Sequence, residues 1–137
     1  MNGELSECMR FPIRGSADVE SAWQCGMAVA LAMGFPLADA NKIAVAISEL
    51  GQNIRRYAER GSITLTTYNG RNRYIEVVAQ DKGPGITDVE LVLAGGYSTS
   101  HGLGRGVSGA RELMDEFELH SVAGEGTTIR AIKVLPW

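Results

Sequence analysis

The sequence predicts a two-layer α/β sandwich of the α+β kind, with a mixed or antiparallel sheet and its helices on one face. Three observations lead there. Apolar residues make up 45% of the 137 positions, enough for one packed core in one domain spanning 1–137. Long stretches in the first half repeat apolar residues at three- and four-residue spacing. The strand-like segments come mostly in pairs joined by glycine-bearing turns, which favours hairpins over an all-parallel sheet.

Residues 8–14 (CMRFPIR) read as a first strand, and Pro12 puts it at an edge or an irregular position. Ser16 and Asp18 are N-cap candidates for a helix running to about Met33, where Gly34 and Pro36 end it. A second helix starts at Pro36 or Asp39 and runs to about Ala58. Its apolar positions are Ala40, Ile43, Ala44, Ile47, Leu50, Ile54 and Tyr57, and Gly61 closes it. Strands follow at 62–69 and 73–80, with Asn69-Gly70 as the hairpin signal between them. Asp81 to Gly85 is a turn, 87–94 suits a short helix and 95–102 reads as a loop. A third main helix covers 105–115. Strands at 116–122 and 127–134 complete the chain, joined by Gly124-Glu125-Gly126.

Charge and composition exclude several classes. A formal net charge of −3 disfavours a nucleic-acid or anionic-membrane partner, which would want a basic surface. No run approaches the roughly 20 apolar residues that span a bilayer. The longest apolar candidate, Cys25 to Leu37, has no charged leader and is broken by Gly34 and Pro36, so no secretory signal is expected. The expectation is a soluble, cytoplasmic protein. Cys8 and Cys25 are expected to be buried small hydrophobes, and neither they nor His101 and His120 have metal-ligand spacing.

Chemistry gathers in four short motifs. Glu49 and Asn53 are four apart on the second helix, so they share a face, off the apolar stripe. Asn53 can offer a neutral oxygen to Mg²⁺, and Glu49 can accept a proton from a hydroxyl; a solvated helix flank is the alternative. Asp81-x-Gly83-x-Gly85 follows an apolar strand. The glycines let backbone pass close to a ligand, and the carboxylate can accept from an exocyclic amine such as that of adenine; a plain turn is the alternative. Gly102-x-Gly104-x-Gly106 opens the third helix, where free N–H groups can face an anion. It is neither a Rossmann fingerprint nor a P-loop. Thr127 and Thr128 could hydrogen-bond an adenine edge or a shared water, though β-branched residues are ordinary in strands.

Taken together and in this order, the motifs resemble those of the GHKL ATPase superfamily, whose members share the Bergerat ATP-binding fold. Glu49 and Asn53 match its N box, Asp81 to Gly85 its first glycine box, Gly102 to Gly106 its second, and Gly126-Thr127-Thr128 its last adenine-side segment. The resemblance covers nearly the whole chain. SELGQNIRRYA (48–58), GGYSTSHGLGRG (95–106) and ELMDEFEL (112–119) resemble the stand-alone anti-sigma and switch kinases, and among these the stressosome kinases. The resemblance implies a serine/threonine kinase using ATP and Mg²⁺. Glu49 would be the catalytic base and Asn53 the metal ligand. Asp81, with Gly83, Gly85 and Thr127 or Thr128, would hold adenine. Gly102, Gly104 and Gly106 would wrap the phosphates, and 86–101 would be a short lid. Arg105 departs from the smaller or apolar residue expected there. The implied partners are STAS-domain scaffold proteins of the RsbS and RsbR kind as substrates, and an RsbU-like phosphatase as the target of the released kinase. Two alternatives stay open on the motifs alone: an anti-sigma kinase of the RsbW or SpoIIAB kind, and a nucleotide-gated binding module without catalysis.

Overall fold

The structure of the chain, a computed structural model, describes residues 5–58, 60–83 and 106–136. Within these, eight elements follow in order: β1 (Leu5–Ile13), α1 (Ser16–Met33), α2 (Leu37–Tyr57), β2 (Gly61–Asn69), β3 (Arg73–Asp81), α3 (Val107–Leu113), β4 (Glu116–Val122) and β5 (Gly126–Leu135). The short helix expected at 87–94 and the loop at 95–102 lie outside the described residues.

The five strands form one sheet in the order β1-β2-β3-β5-β4, and every pairing is antiparallel. The expected mixed-or-antiparallel sheet is thus antiparallel among the described residues. Strand β1 lies at an edge, where Pro12 is tolerated. Alternation along β2, β3 and β5 sends Ile63, Leu65, Ile75, Val77, Ala79, Ile129 and Ala131 into one core with the helices. The opposite face carries charged and aromatic side chains. There Arg130 Nε bonds Glu76 Oε2 at 2.5 Å, which holds the guanidinium above its ordinary pKa, and the Tyr68 and Tyr74 rings stack 4.3 Å apart.

Helix α1 starts differently from the sequence reading. Gly15 is the N-cap, and Ser16 is the first helical residue. Asp18 sits in the first turn, and its Oδ2 accepts from the N–H groups of Arg14 (2.9 Å) and Gly15 (3.1 Å). Gly34 ends the helix in the left-handed region at φ 104°, as its sequence position suggests. Helix α2 runs from Leu37, with Pro36 as N-cap, to Tyr57. Ala58 caps it, and Gly61 instead opens β2.

The apolar stripe of α2 is fully inside: Ala40, Ile43, Ile47, Leu50 and Ile54 are at most 1% exposed. Tyr57 departs from that stripe. It is 39% exposed at the last turn, with the Arg56 guanidinium 5.9 Å from its ring centre. The cysteines also depart from expectation. Cys8 is exposed on the edge strand, and Cys25 is half-buried against Met9, where burial raises its thiol pKa.

Two glycines set the distance between α1 and α2. A Cβ at Gly26 would sit 2.3 Å from Ile47 Cδ1, and one at Gly51 would sit 2.8 Å from Val19 Cγ1. Helix α3, shorter than the expected 105–115, is tied to the sheet at its C-terminal end. The Nζ of buried Lys133 donates to the Leu113 carbonyl at 3.1 Å. The Asp115 carboxylate accepts from the Val134 N–H at 2.7 Å, and Asp115 N–H donates to the Ile132 carbonyl at 2.9 Å.

Gly51→Ala is expected to destabilise the fold. The side chain of Val19 is β-branched and stiff, so it cannot swing aside from a new methyl. Overpacking of about 1–3 kcal/mol outweighs the helix-propensity gain of up to about 1 kcal/mol. Urea denaturation of G51A should show a lower midpoint with an unchanged slope.

Candidate functional site

The site is built around α2. Burial of Leu50 and Ile54 turns that helix so that Glu49 and Asn53, one turn apart, are half-buried beside the core rather than fully solvated. Glu49 reaches the start of α3. Its Oε2 accepts from the Gly106 N–H at 3.1 Å, across 57 positions of sequence. Gly106 is the N-cap of α3 with φ 62°, a backbone state that glycine adopts without a steric penalty. The N-terminal N–H groups of a helix lack intrahelical partners, so a carboxylate there is favourable.

The second part of the site lies where β3 ends. Asp81 is the last residue of β3, paired across the sheet with Gly61 on one side and Thr127 on the other. Its Oδ1 accepts from the Gly83 N–H at 2.9 Å, which orients the carboxylate and leaves Oδ2 for another donor. Gly83 in turn lies against the end of α2, since a Cβ there would fall 2.7 Å from Ala58 Cβ and 3.0 Å from the Tyr57 carbonyl oxygen. The chain after Asp81 is thereby pressed onto the helix that carries Glu49 and Asn53.

Glycines also flank Asp81 on both neighbouring strands. A Cβ at Gly61 would sit 2.2 Å from the Gln80 carbonyl oxygen, and one at Gly126 would sit 2.2 Å from that of Asp81. Gly126 also has φ 128°. Thr127 is 5% exposed, and its hydroxyl lies 2.8 Å from that of Ser121, which donates to the Gly126 carbonyl at 3.2 Å.

The structure separates the two threonines. Thr127 shares a sheet face with Asp81, Ala79 and Ile129, toward the helices. Thr128 points to the other face, across from His120, so its side chain does not join Asp81. Gly85, Gly102, Gly104 and Arg105 lie outside the described residues, and Gly106 alone represents the second glycine box. Ser121 was not singled out in the sequence. The signal was present: on β4 it continues the inward alternation of Phe117 and Leu119 but is a hydroxyl.

Comparison with known proteins gives the family. A family model described as "Histidine kinase-like ATPase domain" matches residues 16–133. This chain belongs to that family. A curated relative, "Serine/threonine-protein kinase RsbT" of Bacillus subtilis (strain 168), is 48% identical over 119 residues, covering 86% of this chain and 90% of the relative. Two solved structures share the fold at low identity. The mycobacterial sensor histidine kinase MprB matches with a TM-score of 0.55 at 15% identity, covering 93% of this chain and 96% of that one. The histidine kinase domain of the Erythrobacter litoralis EL346 blue-light activated kinase matches with a TM-score of 0.54 at 18% identity; the match covers 86% of this chain and 59% of that one.

Membership of the family implies that the domain binds ATP. Among the described residues no group of three or more His, Cys, Asp or Glu could hold a metal, and no helix is long and apolar enough to cross a membrane.

Gly126→Ala should damage both the β4–β5 hairpin and the position of Asp81. The new Cβ meets backbone rather than a movable side chain, and φ 128° is strained for alanine. A loss of about 2 kcal/mol or more is expected from those two effects together. Thermal unfolding of G126A against the wild type measures this, and Gly124→Ala, strained at φ 81° but with its Cβ in open space, isolates the part due to the clash.

Proposed function

We propose that this chain is an ATP- and Mg²⁺-dependent protein serine/threonine kinase that works as a partner switch in the cytoplasm, with residues 1–137 forming one kinase domain. The observation that carries the reading is the 48% identity to a serine/threonine-protein kinase over nearly the full length of both chains. That identity supports the same enzyme class here. The substrates in this reading are STAS-domain scaffold proteins of the RsbS and RsbR kind. Once released from them, the kinase activates an RsbU-like phosphatase in a general stress pathway.

The residues present suit the nucleotide. Asp81 Oδ2 is free of the Gly83 contact and can accept from the adenine amine, with the buried Thr127 hydroxyl beside it on the next strand. Gly106, with Gly102 and Gly104 before it in sequence, would let the backbone wrap the phosphates. Bound ATP supplies the γ-phosphoryl group, and Mg²⁺ offsets its charge. Asn53, half-buried on α2, would hold Mg²⁺ through its side-chain oxygen. Glu49 accepts the proton of the attacking serine or threonine hydroxyl. Its bond to Gly106 ties the base to the backbone that faces the phosphates. Phosphoryl transfer rests mainly on positioning and charge neutralisation, which a small domain can provide.

Incubation with γ-labelled ATP, Mg²⁺ and purified RsbS-like and RsbR-like STAS proteins tests the reading. Label on a serine or threonine of the STAS protein is expected, with a loss of about 10²-fold or more in Glu49→Ala and nucleotide affinity retained. Near wild-type transfer by that variant would reject Glu49 as the base. ATP binding without any transfer to STAS proteins would move the reading to a sigma-factor partner or a nucleotide-gated adaptor. Asp81→Asn is expected to weaken ATP binding itself by about tenfold or more, since one acceptor of a buried hydrogen bond is replaced by a donor. Isothermal titration of D81N with ATP measures this.

A further inference from the structure

A cleft of about 800 Å³ opens on the sheet face away from the helices and runs round the strand ends beside Asp81. Its lining is positively charged on a chain whose formal charge is −3. Arg10, Arg14, Arg60 and Lys82 line it, together with His120, and all five are exposed. Among the described residues, none of the four cationic side chains has a carboxylate partner within ion-pair distance. The carboxylates in the lining are Asp81, with Oδ1 taken by Gly83, and Glu125 on the β4–β5 turn. Elsewhere on this face the arginine is neutralised: Arg130 is held by Glu76 and Glu118. The cationic groups of the cleft therefore remain unspent.

We propose that this cleft is a docking site for a short acidic segment of a protein partner. Three arginines offer planar forks that match carboxylates, and a concave, like-charged wall concentrates field on an anionic guest. A protein segment fits better than nucleic acid. An extended phosphate backbone leaving the cleft along this face would meet Glu76, Glu116 and Glu118, whereas a short peptide ends before them. Pro12 lies in the lining on edge strand β1 and cannot donate from its nitrogen, so the guest lies across the sheet face rather than extending it as a sixth strand. The cleft borders Asp81 and Thr127, which the reading above gives to adenine, but the docking proposal does not depend on that reading.

The probe is a fluorescein-labelled oligopeptide of alternating glutamate and glycine, titrated with the intact protein at low salt without nucleotide. Saturable binding is expected, weakened about tenfold or more by each of Arg10→Glu and Arg60→Glu. Lys42→Glu, on the solvent side of α2, makes the same change in net charge and should weaken binding less than about twofold by long-range charge alone. Unchanged thermal midpoints show that the variants fold. No saturable binding overturns the proposal, as does an equal loss in Lys42→Glu. Tighter binding of duplex DNA or phosphatidylserine vesicles than of the peptide, lost in Arg10→Glu, overturns the choice of a protein partner.

Discussion

Helix α2 is held by burial of a single stripe, and the chemistry of the site is a consequence of that rotation. Ile43, Ile47, Leu50 and Ile54 contribute on the order of 1.5–3 kcal/mol each by leaving water. With them inside, Glu49 and Asn53 have only one place to be, at the border between core and solvent. There the Glu49 carboxylate is sheltered enough to hold one geometry against the Gly106 N–H. The glycines at 26 and 51 let α1 close over the other side, so the helix is gripped from both directions. A turn of α2 by even one residue would exchange Glu49 for Leu50 and lose both the core and the site.

The other half of the site is shaped by absence of side chains. Gly61, Gly83 and Gly126 surround Asp81 on three sides, and each faces backbone or the foot of α2 where a Cβ would collide. The space they leave lets three strands and a helix end converge around one carboxylate. Helix α3 is fixed at two points, by Glu49 at its start and by Lys133 and Asp115 past its end. A buried lysine is costly unless partnered, and here its partners are the Leu113 carbonyl at the helix end, where positive charge is favoured, and the Asp115 carboxylate.

Much of this was readable from the chain because it follows from periodicity. The stripe of α2, the hairpin at Asn69-Gly70 and the turn at 124–126 are local signals, and the corresponding elements lie within a few residues of where those signals put them. The misses were non-local. Tyr57 matches the helical period, but at the last turn of α2 its ring meets solvent beside Arg56. Cys8 is in phase with Arg10 and Pro12 rather than with Met9, Phe11 and Ile13, so it faces away from the helices. Ser16 and Asp18 both have capping side chains, but the chain turns at Gly15 and uses Asp18 from inside the first turn. For the site, the residue types of Glu49, Asn53 and Asp81 were visible, while Ser121, Gly61 and the bond between Glu49 and Gly106 depend on which strands and helices become neighbours. The choice between Thr127 and Thr128 needed the register of β5 against β3, which no local pattern encodes.

The strand order has a bearing on how the protein is made. Strand β5 comes last among the described elements, yet it lies inside the sheet, between β3 and β4. While a ribosome is still synthesising it, β3 presents an open edge and β4 has no partner at all. The half-sheet β1-β2-β3 can pair early with α1 and α2, but Asp81 waits for Thr127 until the last turn has emerged. Folding therefore closes in the centre rather than at a rim, and the interval before closure is when an exposed strand edge invites pairing with another chain.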